Sequence, residues 1–462
     1  MHTFKKSSLK KSFIFSLLII LSLSGFGCKL QGEDFKKATQ SQKLTYWRVW
    51  DTPKDFDEII NAYKIQHPNI SIQIVNFRYE EYEQKLLEAM AEDRGPDIFS
   101  VHSSWIPKYE NRIAPIPAEI RTAYQTTQKS LGFKNEVVVD YRTTKSITPE
   151  QVRASFLGPV AEEVIRNNKI YAIPLFLDTL ATYYNIDLLN NAGIPLPASK
   201  WAELQEQTPL LTLQDKEGNI VQSAVALGTR KNVERYFDIL SLLMMQNGTE
   251  MLGGGKSKVT FDVMPPNLSG RATPPGEDAI RFYTEFSQPS KNVYTWNASL
   301  ENSFDAFVHG KTTYFFGYSY HVPLIRSQAP KLNFGIAPML QIDDGAPIHY
   351  ANYWAETVSK KSAHQDIAWD FLQFVAKRDQ VSSYLKNTHK PPALRSLYDN
   401  FKDDISVGVF TLQTLTAKNW YRGRNPEAAE LFFGEMIDTV ISGETSIKEA
   451  IRKARQKIQQ TL

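Results

Sequence analysis

The sequence predicts an α/β fold in two lobes, each a mixed or parallel sheet flanked by helices. Three observations carry this. At 462 residues, with 42% hydrophobic and 22% charged content, the chain has ordinary globular composition and is long enough for about three domains or two large lobes. Near its start the hydrophobic pattern alternates between period 2 and period 3.6, the marks of strands and helices in turn. In its middle, residues 169–187 (K-I-Y-A-I-P-L-F-L-D-T-L-A-T-Y-Y-N-I-D) hold two apolar runs joined at one polar pair, as expected where a chain passes from one lobe to another.

Taken in order, residues 44–50 (L-T-Y-W-R-V-W) are aromatic and β-branched, a strand. Thr52 and Pro53 then supply a helix N-cap and first turn, and Phe56, Ile59, Ile60 and Tyr63 share one apolar face. His67-Pro68-Asn69 stops that helix, and Ile70, Ile72 and Ile74 alternate as a second strand. A second helix carries Tyr79, Tyr82, Leu86 and Met90 on one side and ends at Gly95-Pro96. A third strand follows at 97–101. This βαβαβ order implies a parallel sheet with right-handed crossovers.

Residues 170–177 are apolar enough for a strand buried on both faces. The pair Asp178-Thr179 interrupts, 180–184 forms a second strand, and Asn185 and Asp187 open a helix. Helices are expected at 201–206, 234–247, 277–286 and 363–377, and strands at 223–229, 258–263 and 332–338. The final helix is capped by Ser446 with Glu449 three residues on, and Ile447, Ala450, Ile451, Ala454 and Ile458 form its face.

The net charge of +3 belongs to the N-terminus: Lys5, Lys6, Lys10 and Lys11 stand among the first 27 residues with no acid, and +3 less these four is −1. The body has no electrostatic case for nucleic acid. Residues 1–27 have the anatomy of a secretory signal, a lysine-rich start and an apolar core shorter than the ~20 residues of a membrane span. The single cysteine, Cys28, falls where cleavage would. That placement resembles a bacterial lipoprotein signal, in which the cysteine carries the lipid; an ordinary cleaved signal with an incidental cysteine is the alternative. Residues 28–43 are polar and aperiodic, a tether. With one cysteine there is no disulfide, so the core alone must hold the fold.

Motifs for catalysis fail. Gly253-Gly254-Gly255-Lys256-Ser257 invites a phosphate loop, but Glu250 stands where the pattern needs glycine and a strand follows where a helix should. Gly317-Tyr318-Ser319-Tyr320-His321 has histidine in place of the last glycine of a nucleophile elbow. The eight histidines show no metal-ligand spacing. Neither cofactor nor metal is expected.

In an open α/β sheet a ligand sits beyond the carboxyl ends of the strands. Just past the first and third strands lie Trp50-Asp51 and His102-Ser103-Ser104-Trp105, flat apolar faces beside short polar groups.

The runs H-P-N-I-S-I-Q-I and G-P-D-I-F-S-V, then I-A-P-I at 113–116, then K-I-Y-A-I-P and T-Y-Y-N-I-D-L-L-N-N-A-G-I-P, resemble in order and spacing the family 1 extracellular solute-binding proteins, two-lobed receptors that feed ABC importers. The resemblance covers most of the chain. It implies a periplasmic-binding-protein type II fold with lobe 1 at 44–178 and 350–394, lobe 2 at 179–349 and 395–462, and crossings at Asp178-Thr179 and in the N-Y-W-A-E-T-V run. Asn168 stands where the family has glycine; asparagine tolerates the left-handed turn. Residues 122–159 match nothing in the pattern and are read as an insertion near the cleft.

What the resemblance implies is a non-enzymatic, exported and lipid-anchored monomer. It would bind a sugar or oligosaccharide and deliver it to permease subunits in the membrane. Aromatic faces for sugar C–H surfaces and short polar groups for hydroxyls suit that ligand. The candidate contacts are Trp50, Asp51, His102, Ser103 and Trp105 from the first lobe, Asp178 at the crossing, and Tyr318, Tyr320, Trp354, Trp420 and Arg422 from the opposing side. Arg422 and Arg424 leave room for an anionic ligand. A surface-attached carbohydrate-active enzyme and a protein-binding lipoprotein are the alternatives.

Overall fold

The computed structural model describes residues 39–130, 134–342 and 345–462. Cys28, the expected signal and most of the tether lie outside them.

The first sheet is built as the alternation predicts. Strands β1 (Gln42–Val49), β2 (Ile70–Phe77) and β3 (Ile98–His102) are joined by helices α1 (Asp57–Gln66) and α2 (Tyr79–Ala91). They pair in parallel in the order β2-β1-β3. Phe56, Ile59 and Tyr63, and then Tyr82, Leu86 and Met90, are the buried faces. A short 3₁₀ turn, Pro53–Phe56, precedes α1, and the Asp55 carboxylate accepts from both Thr52 N and Thr52 Oγ at 2.8 Å. The sheet is completed by Trp354–Ser359, antiparallel to β3, whose far side pairs with Ile113–Ala114 and Ile173–Pro174.

The second sheet runs Leu213–Gln214, Ile220–Val225, Thr312–Gly317, Ala181–Asn185 and Phe334–Ala337 in spatial order. Both of its faces are covered. The larger core includes the apolar helix Tyr236–Gln246 and the C-terminal helix, where Ala450, Ile451, Ala454 and Ile458 are buried. On the other side Tyr183, Phe304, Phe307, Phe315 and Phe410 cluster. The strand expected at 258–263 is only Lys258–Val259, paired with Leu252–Gly253. The glycine run forms the hairpin turn between them, with Gly254, Gly255 and Lys256 at φ +56°, +68° and +70°.

Between the sheets lies a three-stranded hinge: Asp178–Thr179, His349–Asn352 and Ala417–Lys418. The sequence reading expected two crossings and ended the first lobe at 394. Leu397, Phe401 and Val407 instead pack in the first core, and the third hinge strand follows them. Residues 170–177 are buried as expected but are not one strand. Only Ile173–Pro174 joins the first sheet, because Pro174 lacks the N–H a longer ladder needs, while Leu177 N donates to Pro391 O at 3.1 Å. Asn168 takes φ +58°, the turn its side chain tolerates.

Most of the described part of the stretch 122–159 stands away from the cleft, though its end, Gly158, packs beside Leu177 and the hinge strand at Ala417. Most of it belongs to a hairpin of Glu119–Ser130 with Lys134–Lys145 that docks beside His67, whose Nδ1 is 3.0 Å from Ala123 O. His67 stands just before β2, so the hairpin covers the amino ends of the strands, opposite the ligand end.

Candidate functional site

A cleft of about 560 Å³ opens at the carboxyl ends of β1 and β3 and reaches the hinge. Its walls come from both lobes.

Trp50 enters it by an unusual route. Its φ is +71°, and Asp51 N donates back to Val49 O at 2.9 Å. Together these make a γ-turn of the strained, positive-φ kind. A bulky residue held there costs of order 1–3 kcal/mol and persists only where the surroundings enforce it. Here the indole stacks against two near-parallel rings, Tyr79 of α2 at 5.8 Å and Tyr320 of the other lobe at 5.7 Å. Tyr320 is backed by His321 at 4.1 Å and by Tyr318 at 6.0 Å. The two lobes therefore meet ring to ring, and a solute reaches the space between Trp50 and Tyr320 only when they part.

Deeper in, Trp354 packs edge-on against Tyr79, Tyr82, His102 and Trp105. The polar groups beside it are fixed. Ser104 N–H donates to His102 Nδ1 at 3.3 Å, with Ser104 Oγ 2.7 Å from the same nitrogen. The proton therefore sits on Nε2, which donates to Asn352 Oδ1 at 3.0 Å. Burial pushes the imidazole down to about 4. The chain Ser104–His102–Asn352 has the order of nucleophile, base and orienter, but a base this weak, held by a neutral amide, takes no proton near neutrality. Among the described residues no group of three or more His, Cys, Asp or Glu side chains could hold a metal ion.

At the floor, Asp178 is buried. Its Oδ2 accepts from Ser319 N at 2.9 Å and Ser319 Oγ at 2.6 Å, and its Oδ1 from Thr179 N at 2.9 Å. Burial drives its pKa to about 7 against these donors. Asp178 thus both lines the cleft and ties the hinge to the second lobe.

Of the predicted contacts, Trp50, His102, Ser103, Trp105, Asp178, Tyr320 and Trp354 line the cleft, Trp354 from the first sheet rather than the opposing side. Four do not line it. Asp51 is buried behind the wall, accepting from Arg48 at 2.6 Å and Tyr384 at 2.7 Å and pairing with Lys390. Tyr318 is fully buried, its hydroxyl donating to Asp238 at 2.6 Å, because residues 318–320 turn rather than extend. Trp420 is core: its Nε1 donates to Ser241 Oγ at 2.9 Å and its ring stacks on Phe433. Arg422 is engaged by Glu163 at 2.7 Å and is not offered to an anion.

Reading by strand ends missed Tyr79, Glu234, Arg235, Asp238, Asn352, Lys390, Glu427 and Glu430, all of which line the cleft. Several sit where helices begin: Glu234 and Arg235 precede Tyr236–Gln246, and Glu427 follows Pro426 at the start of Pro426–Ser442. Helix amino ends are ligand-facing positions by their dipole, and the Asn425-Pro426 cap signal was present in the sequence.

Comparison with known proteins agrees with this architecture. A galactooligosaccharide-binding protein of Bacillus subtilis is 18% identical over 459 residues, 97% of this chain and 96% of its own. A solved ABC-transporter solute-binding protein of Thermotoga lettingae, bound with α-D-tagatose, superposes with a TM-score of 0.67 at 17% identity, covering 91% of this chain and all of that one. The sugar-binding protein MalE of Xanthomonas citri gives 0.66 at 17%, covering 91% and 97%. The fold is therefore that of the MalE-like, two-lobed binding proteins. The model of the bacterial extracellular solute-binding proteins matches residues 50–381, from the strained tryptophan to the helix that carries Tyr384, and the chain belongs to that family of non-enzymatic receptors.

Proposed function

We propose that this chain is the saccharide receptor of an ABC importer, binding a sugar or oligosaccharide between its lobes and presenting the closed form to membrane permease subunits. One observation carries the sugar reading: a cleft walled by Trp50, Tyr79, Tyr320 and Trp354 beside oriented short polar groups, His102, Asn352 and Asp178. Rings supply C–H stacking faces and the polar groups fix hydroxyls. The likeness to a galactooligosaccharide-binding protein points the same way. We propose further that Cys28 carries a lipid anchor, so that Cys28→Ser moves the chain from the membrane to the soluble fraction; retention of that variant at the membrane would refute the anchor.

The direct test is thermal melting of the full chain against mono- and oligosaccharides. A solute at 100 times its Kd stabilises by about 2.7 kcal/mol. No shift with any saccharide would overturn the reading.

Closure on a solute is favoured only by contacts the closed state makes and the open state lacks. The Trp50–Tyr320 contact is one, worth about 0.5–1.5 kcal/mol as an aromatic pair. In Trp50→Gly, relief of the positive-φ strain offsets the lost packing, and the unfolding free energy is expected to stay within about 1 kcal/mol of wild type. Solute affinity is expected to fall roughly three- to tenfold by calorimetry. Unchanged affinity would mean the contact plays no part in closure.

A further inference from the structure

The charge of the cleft is lopsided. Seven carboxylates line it against two cations, Arg235 and Lys390. Both cations are neutralised: Arg235 by Asp238 at 2.5 Å, Lys390 by Asp51 behind the wall. Two more carboxylates have partners of their own, Glu163 with Arg422 at 2.7 Å and Glu427 with Lys108 at 3.0 Å. Asp178 is held by hydroxyl and backbone donors. Three remain. Among the described residues, Glu80, Glu234 and Glu430 have no lysine or arginine within 4 Å.

All three line the same cleft as the ring stack. Glu80 follows Tyr79 in α2. Glu234 faces His321 Nε2 at 3.3 Å. Tyr318 N donates to His321 Nδ1 at 2.9 Å and burial lowers the imidazole's pKa, so this histidine is neutral and does not cancel the carboxylate. Its ring is the one stacked on Tyr320. Burial pushes the Tyr79 phenol up, and against Arg235 the carboxylates of Glu430 and Glu427 push it further, so they face the same ring.

Burial raises the Glu430 carboxyl and Arg235 acts against it, but the cleft as a whole keeps an excess of negative charge, and a neutral solute that closed it would leave that excess with less water, which is costly. An anionic solute would add to the repulsion. An ammonium group meets both features at once, charge-assisted hydrogen bonds to carboxylates and the negative faces of the rings. We infer that the cleft selects a cationic saccharide, one whose ring carries a free protonated amine, with the ammonium answering the excess of carboxylates that line it. This rests on the saccharide reading above.

The test is calorimetric titration of the full chain with glucosamine, galactosamine and their oligomers, each against its N-acetylated and its unsubstituted counterpart, with spermidine as a cation that is no sugar. The free amines are expected to bind at least tenfold tighter than either counterpart, less so at high salt. Glu430→Gln and Glu234→Gln, checked by melting for intact folding, are each expected to reduce that preference several-fold. Equal or tighter binding of a neutral counterpart overturns the charge selection and leaves the saccharide reading standing. Binding of spermidine with no saccharide bound overturns the saccharide reading and leaves the cation subsite. Binding of none of these overturns both.

Discussion

Asp51→Ala is expected to destabilise the chain by about 3–5 kcal/mol, the usual loss when one partner of a buried ion pair is removed. The residue joins a sealed cluster of four charges. Arg48 bridges Asp51 at 2.6 Å and Glu356 at 3.1 Å, and Lys390 reaches Asp51 from the cleft wall. Arg48 is 1% exposed and Asp51 5%. Two acids and two bases balance, so deleting Asp51 leaves a net positive charge with little water to stabilise it. Burial works to raise the Asp51 pKa, but Lys390 and Arg48 outweigh it and hold it at about 2. A depressed carboxylate contributes stability above its unfolded value of 3.8 and loses it as pH falls toward 2, here on the order of 2 kcal/mol. Denaturant unfolding at pH 7 measures the loss. The double variant Asp51→Ala/Lys390→Met keeps Arg48 paired with Glu356 and restores neutrality, so it should recover a large part of it. A loss below about 1 kcal/mol in the single variant would show that the cluster is not sealed.

That cluster marks where the sequence stops being legible. The end of β1 was readable to within a residue, since the helix start at Thr52-Pro53 and the topology rule both point to Trp50 and Asp51. Nothing local distinguishes them. Trp50 turns outward and Asp51 inward because Lys390 and Tyr384, more than 330 residues away, wait behind the wall. Trp420 failed for a related reason. A tryptophan in a Gly/Asn/Pro-rich loop reads as exposed, yet the loop lies across the helix Tyr236–Gln246, where Ser241 takes the indole N–H. The parallel sheet, the helix faces and the turn at Asn168 were set by neighbours within a few residues, so periodicity and φ preference exposed them. Glu234, Glu427 and Glu430 gain their meaning only when two lobes converge on one space. For Glu234 and Glu427 a helix start was the sequence signal, whereas Glu430 lies a turn further into Pro426–Ser442.

The wild-type protein is expected to lose stability to the ionisation of Asp178 between pH 4 and 7, by up to about 4 kcal/mol, and Asp178→Asn is expected to remove that loss. The sign follows from the raised pKa. Below its unfolded value of 3.8 the carboxyl is protonated in both states; between 3.8 and about 7 the folded chain holds a proton that the unfolded chain has released. Stability therefore falls with rising pH across that window, about 1.4 kcal/mol for each of roughly three units, and is flat in this group above it. His102 and His349 work in the opposite sense: buried neutral and lowered to about 4, they weaken the fold as pH drops below their unfolded range. The readout is accordingly the difference between wild type and Asp178→Asn, measured by urea unfolding at intervals from pH 4 to 8, in which the histidine contributions cancel. Asparagine keeps an acceptor for Ser319 N and Oγ but sets an amide N–H against Thr179 N, so the variant should be the weaker fold at pH 4 and gain on wild type with each unit toward pH 7. A pH-independent difference would mean that Asp178 is ionised throughout. Its three donors, from the hinge and from the opposite lobe, would then outweigh burial, and the group would act as a fixed negative charge beneath an already acidic cleft.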